Sequence, residues 1–208
     1  MNLQDTPICL SGGANGADLQ WGVCAGLSGH QVIHFSFDKH RTQAPEPEVV
    51  VLTAEQLCEA DPHLERANAT LGRRLPFDKP WVINLLRRNW YQVRETSSVY
   101  AVASLDPHGT VTGGTAWAIQ MFIDRQPPGA PGPVYLFDQE RAIWLTWGGG
   151  WQPLNGIPPR PEGIWTGIGS RTLTDGGKAA IRRVFGLQGP LGGTKLGSAP
   201  DHHPTDRT

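Results

Sequence analysis

Three glycine-rich turns hold the residues best suited to chemistry in this chain: Ser11 to Asp18 (SGGANGAD), Gly113 to Thr115 (GGT) and Gly167 to Arg171 (GIGSR). Each lies between an apolar run and a helix-like run, the place where parallel sheets bind ligands. Unpaired N–H groups and the dipole at a helix start favour an anion there, and glycine lets a phosphate or ribose approach the main chain. Expected ligand contacts are Ser11, Gly12, Gly13, Ala14, Gly16, Asp18, Gly113, Gly114, Thr115, Gly169, Ser170 and Arg171. Asp18 could accept hydrogen bonds from a ribose or base, or simply face the dipole of its own helix. Arg171 could clamp a phosphate bidentately or form a surface ion pair. Arg87 and Arg88 interrupt an apolar helical stripe; one can face a pocket while the other reaches water, and Arg88 is the preferred candidate.

In HFSFDKH, His34 lies inside a strand, with Asp38 and His40 just past its end. Such a set could form a metal site or an acid-base pair, but the spacing matches no strong metal motif, and no cofactor is implied. A histidine stacking on or hydrogen-bonding to a base is the sharper reading of His34 and His40, and a partly buried structural His34 the plainer one. Asp18, Asp38 and Arg88 are the candidates for catalysis, if any occurs. Among Trp117, Trp144, Trp147, Trp151 and Trp165 one ring could stack on a base, while most should anchor the core or loops.

The elements that must position these groups follow from periodicity. Residues 8–10 read as a strand, 17–27 as a helix and 29–37 as a second strand, a β-α-β crossover with parallel strands. Residues 38–52, with Pro45 and Pro47, read as a loop. Thr53 and Gln56 have capping-box spacing, and Asp61-Pro62 reads as a second helix start, giving two short helices that end at Gly72. The stretch near 38–80 reads as a helical insertion. A helix over 80–93, a strand over 97–104, a glycine turn feeding a helix within 113–125 and a strand over 133–138 repeat the pattern; 142–147 adds an antiparallel or edge strand. The GIW run and the GIGSR turn then lead, through an N-cap at Thr172 or Thr174, into a helix ending at Phe185. The predicted fold is α/β, a Rossmann-like three-layer domain with a mostly parallel central sheet over residues 1–186, and a disordered tail over 187–208.

Composition narrows the function classes. The 208 residues carry a formal net charge of -1, so no basic field draws the chain to a nucleic-acid polymer or an anionic membrane. Cys9, Cys24 and Cys58 are an odd, widely spaced set that reads as buried free thiols in a reducing compartment. With no basic-then-apolar leader and no long apolar run, a cytoplasmic protein without a membrane span is expected. The Trp-rich WLTWGGGWQ segment could be a homodimer interface.

SGGANGAD resembles the S-G-G-A-x-G-A-D signature of the SLOG superfamily, the Rossmann-like proteins that include Smf/DprA and the LOG phosphoribohydrolases. GIGSRTLT resembles the G-I-G-S-R turn that such proteins carry on their first strand; here it comes last, which implies a circularly permuted order. VTGGTAWAIQ is similar to the LOG motif P-G-G-x-G-T-x-x-E, with Thr112 for Pro, Ala116 for Gly, Trp117 for Thr and Gln120 for Glu. The resemblance implies a nucleotide or nucleotide-like ligand. It also implies that the LOG glutamate's part in N-glycosidic cleavage is missing, since a glutamine cannot ionise, although Gln120 could hold a ribose hydroxyl. A binder, acting as a sensor or by sequestration, is therefore the first expectation. A nucleotide N-glycosidase using another acid, such as Asp18 or Asp38, is the second. A DNA-processing role is disfavoured by the neutral charge.

Overall fold

The computed structural model describes residues 6–127 and 132–187. Eight strands form one sheet: β1 (Ile8–Ser11), β2 (Gln31–Phe37), β3 (Val49–Leu52), β4 (Ser98–Ala103), β5 (Val134–Asp138), β6 (Ile143–Trp147), β7 (Trp151–Pro153) and β8 (Ile164–Gly169), in the order β3-β2-β1-β8-β4-β5-β6-β7. The ladders from β3 through to β5 are parallel, and β6 and β7 add an antiparallel edge. Six α-helices accompany them: α1 (Ala17–Leu27), α2 (Ala54–Glu59), α3 (Asp61–Leu71), α4 (Pro80–Val93), α5 (Thr115–Asp124) and α6 (Asp175–Val184).

The period of two in β4 explains how one strand serves two cores. Val99, Ala101 and Ala103 pack with α3, α4 and α5, whereas Tyr100 and Val102 pack with α1 and α6. Three layers result, an α/β architecture compatible with a Rossmann-like domain. Chain direction then fixes the crevice: β1 leads through α1 to β2 on one side, and β4 leads through α5, on the opposite face, to β5 on the other. β8 lies between β1 and β4, so the opening at the strands' carboxyl ends sits above it.

Local signals set several boundaries. Thr53 and Gln56 form the reciprocal capping box of α2. Gly72 closes α3 in the left-handed conformation at φ 62°, and Thr174, not Thr172, caps α6 by accepting from the Gly177 N–H. Asp61 is the first helical residue of α3 and not its cap, its carboxylate being held at 2.7 Å by Arg87.

Two strands depart from the expected pattern. The predicted loop over 38–52 contains a short 3-10 turn (Glu46–Glu48) and the edge strand β3, parallel to β2. The prolines end before Val49, and with Val50 and Val51 both exposed the strand shows no alternation to read. The edge strand β7 is three residues long and ends in Pro153, and its presence makes β6 an interior strand. Cys9 and Cys24 are buried, but Cys58 is exposed. Trp147 and Trp151 meet edge to face at 5.0 Å and pack against the core rather than standing out from the surface. No helix among the described residues is long and apolar enough to cross a membrane. The predicted tail lies, apart from Leu187, outside the described residues.

Candidate functional site

Above β8 opens a cavity of about 610 Å³, within the range of small-molecule sites. Parts of all three glycine turns reach it: Ala14 and Asp18 after β1, Gly113 to Thr115 before α5, and Gly169 to Arg171 after β8. The helix α5 begins with no side-chain cap, and the leading N–H groups of a helix have no partner within it. Val82, Leu85, Leu86, Arg88, Asn89 and Gln92 of α4 also line the cavity, with Ala118 and Ile168, so that apolar and polar side chains share this wall. Gln92 is 1% exposed, and its Oε1 has no hydrogen-bond partner among the described residues. The Arg171 guanidinium is exposed and has no hydrogen bond or ion pair among the described residues.

A buried charged group supports the floor. Arg88, 5% exposed, donates from one terminal nitrogen to the Gly12 carbonyl at 2.8 Å and to His40 Nε2 at 3.2 Å, while the other lies 3.6 Å from Asp18 Oδ2. Because Arg88 can only donate, His40 Nε2 accepts, and its Nδ1–H donates to Ser36 Oγ at 2.9 Å. Asp18 Oδ1 accepts from the Gly169 N–H at 2.9 Å. Burial lifts the Asp18 carboxyl from 3.8 to about 6, against the opposing pull of Arg88 and of the Gly169 and Gly12 N–H groups. A carboxyl poised there can change protonation near neutral pH.

The first glycine turn works differently from the expectation of a phosphate cradle. The Ala17 N–H at the start of α1 donates to the Ser170 carbonyl at 3.0 Å, and the Asp18 carboxylate occupies the same turn. Ser11 is wholly buried, its hydroxyl against the carbonyls of Asp18 and Gly167. A Cβ on Gly12 would stand 2.5 Å from both Arg88 and Asp18, and Gly16, at φ 103°, would drive one to 2.3 Å from the Arg171 carbonyl oxygen. Ser11, Gly12, Gly13 and Gly16 do not line the cavity. They build the support beneath it.

Three other candidates also lie elsewhere. His34, 1% exposed, sits in β2 with Nε2 3.6 Å from Glu48; burial and then the Arg88 charge push it down to about 4, so the ring is neutral and the contact is not a salt bridge. Asp38 is exposed and pairs with the equally exposed Lys39. Gln120 donates to Asp124 at 2.6 Å and lines a separate cavity of about 180 Å³ beside Trp147 and Trp151. No group of three or more His, Cys, Asp or Glu among the described residues is placed to hold a metal ion.

His40 lines a third opening, a groove of about 410 Å³ that shares Ala14, Leu85 and Arg171 with the main cavity. Trp81, outside the group of tryptophans named from sequence, lies on its wall at 46% exposure. None of the five tryptophans named earlier lines either opening. Of α4 only Arg88 was expected at a pocket, and it does line the main cavity; the rest of the helix was not named, although its signal is present: Leu85, Asn89 and Gln92 fall at helical spacing, placing amides where a purely structural stripe would be apolar.

Burial and the Arg88 charge also lower His40 from 6.5 to about 4. For His34 and His40 the folded pKa is depressed, so their contribution to stability is present above 6.5 and is lost as pH falls through about 4. For Asp18 it is raised, so its contribution is fully present below 3.8 and is lost as pH rises through about 6. Near pH 5 the two histidines outweigh the one carboxyl. The melting temperature is expected to fall from pH 7 to pH 5, and more weakly in His40→Asn. An equal fall in both would show that His40 is not held neutral in the fold.

No family model, curated protein or solved structure matches this chain.

Proposed function

We propose that the chain binds a nucleotide or nucleotide-derived small molecule in the cavity above β8, as a cytoplasmic sensor or sequestering protein. The observation that carries this reading is the convergence, on one cavity of about 610 Å³, of the uncapped α5 turn at Gly113 to Thr115, Arg171, unpaired among the described residues, and the α4 wall, where Val82, Leu85 and Leu86 stand beside the amides of Asn89 and Gln92. An anion suits the first two, and a ribose face or a base suits the third.

The permuted SLOG-like order remains part of the proposal, and the strand order supports it. Counted from β8, the succession β8, β1, β2, β3 runs one way across the sheet and β4, β5 the other; with the edge strand β3 set aside as an addition outside β2, this is the 3-2-1-4-5 arrangement of doubly wound dinucleotide-binding sheets.

A panel of nucleotides tested by thermal shift on the wild type and on Gly114→Val examines this directly. Gly114 has φ −68°, and a Cβ there meets nothing closer than Leu86 at 3.5 Å, so valine is expected to fold and to obstruct the α5 turn. At least one nucleotide should raise the wild-type melting temperature by several degrees, since ligand at 100 times its Kd adds about 2.7 kcal/mol. The same nucleotide should leave Gly114→Val unmoved. An equal shift in both proteins would remove the turn from the site.

N-glycoside hydrolysis is the second reading, favoured by the Asp18 carboxyl near 6 on the cavity wall. Free base should then accumulate from nucleoside monophosphates with wild type and not with Asp18→Asn. Binding without base release would leave the first reading alone.

A further inference from the structure

The groove beside the main cavity has its own electrostatic character. Its wall brings together Lys39 and Arg41, from the segment after β2, and Arg171, from the turn after β8, and among the described residues contains no carboxylate. The main cavity, by contrast, has Asp18 and Glu140 on its wall. Lys39 faces its exposed neighbour Asp38, but Arg41 and Arg171 have no acidic partner among the described residues. In a chain of net charge -1, three cations around one groove are a local arrangement, not the result of a basic composition.

The arrangement is also held in place. Lys39 adopts a left-handed backbone at φ 62°, uncommon for a residue with a side chain. Beyond it, the His40 N–H donates to the Phe37 carbonyl at 2.9 Å, its ring stacks on Phe37 at 5.0 Å, and its Nε2 is fixed by Arg88. The turn that carries Lys39 and Arg41 into the groove is therefore tied to the same buried group that supports the main cavity.

On the reading that the main cavity takes a nucleotide, we infer that the groove takes a second anionic group of the same ligand, so that the preferred ligand is at least a nucleoside diphosphate, free or esterified to a second nucleoside. One phosphate lies at the α5 turn. The next lies at Arg171, which borders both openings, with Arg41 reaching toward it from the groove wall. The exposed face of Trp81 is then available to a ring attached beyond that phosphate. Two cavities of about 610 and 410 Å³ that share three residues have room for such an extended molecule.

Calorimetric titration of the full chain with adenosine mono- and diphosphate, and with P1,P2-di(adenosine) diphosphate, tests this in wild type and Arg41→Gln. Arg41 is exposed, and its replacement is expected to fold. Wild type should bind a diphosphate at least about tenfold more tightly than the monophosphate, and Arg41→Gln should lose most of that preference. Tighter binding of the dinucleotide than of the free diphosphate would assign the Trp81 face to a second nucleoside, and the reverse would assign the groove to a terminal phosphate. Equal affinity for mono- and diphosphate, or an unchanged preference in Arg41→Gln, would overturn the inference while leaving the nucleotide site intact. Failure of all three to bind would remove the adenine-nucleotide form of the reading on which it rests.

Discussion

Arg88→Met is expected to destabilise the protein by about 3–5 kcal/mol in chemical denaturation at pH 8, the range found when one partner of a buried ion pair is removed. The size follows from what the side chain leaves behind. Asp18 is 5% exposed and would keep its carboxylate in a low-dielectric setting with the opposite charge gone, and the Gly12 carbonyl would lose its donor. Because Arg88 now lowers the Asp18 pKa, its removal lets the carboxyl rise further and take up a proton more readily. The penalty should therefore shrink at pH 5, and Arg88→Met combined with Asp18→Asn should be less destabilised at pH 8 than Arg88→Met alone. If the double variant lost as much as the two single variants summed, Arg88 and Asp18 would act independently and the coupled support beneath the cavity would be wrong.

Gly169→Ala is the second large effect. At this position a Cβ would stand 2.1 Å from the Val102 carbonyl oxygen and 2.7 Å from the Ala17 Cβ. Neither neighbour can yield cheaply: Val102 belongs to the central strand β4 and its carbonyl accepts from the Ser170 N–H at 2.8 Å, while Ala17 begins α1. Making room must spread β8 from β4 and pull the Gly169 N–H from Asp18, so a loss of at least about 3 kcal/mol is expected, at the upper end of overpacking penalties. A melting temperature within 2 °C or so of the wild type would mean that the turn is looser than these contacts indicate. Gly177→Ala, where a Cβ would meet a Leu173 methyl at 2.7 Å and the Gln139 Oε1 at 2.8 Å, should cost less, because both are ends of side chains that can turn aside, at the loss of the Gln139 bonds to Thr174, whereas no backbone must move.

How much could be read in advance depended on how local each cause was. The capping box at Thr53 and Gln56, the left-handed stop at Gly72 and the β-α-β spacing of the first 37 residues are short-range patterns, and the chain follows them. The mostly parallel α/β architecture follows from those repeats. The strand β3 was hidden because two exposed valines on an edge have no alternation, and the prolines before it read as loop.

For the site, the glycine turns marked the end of the sheet at which the cavity opens, but type and spacing could not say which N–H groups the chain would use for itself. The first turn is filled by its own Asp18 and by the Ser170 carbonyl, a contact across about 150 residues of sequence. The Arg88 contacts to Gly12, Asp18 and His40 are of the same long-range kind. Arg87 and Arg88 are separated by one helical step of about 100°, enough to send the first to the partly buried Asp61, paired there rather than reaching water, and the second into the core. The same rotation decides the fate of Gln120: Ala118 faces the main cavity, and two residues later the side chain has turned to the smaller one.

Amide chemical shifts during titration with a nucleotide would locate the ligand residue by residue. The expected result is a saturable shift of the Gly113, Gly114, Thr115 and Gly169 to Arg171 amides at one ligand per chain, with the amides around Trp147 and Trp151 unmoved. No shift at any nucleotide tested, or a shift confined to the smaller cavity by Gln120, would contradict a nucleotide site above β8.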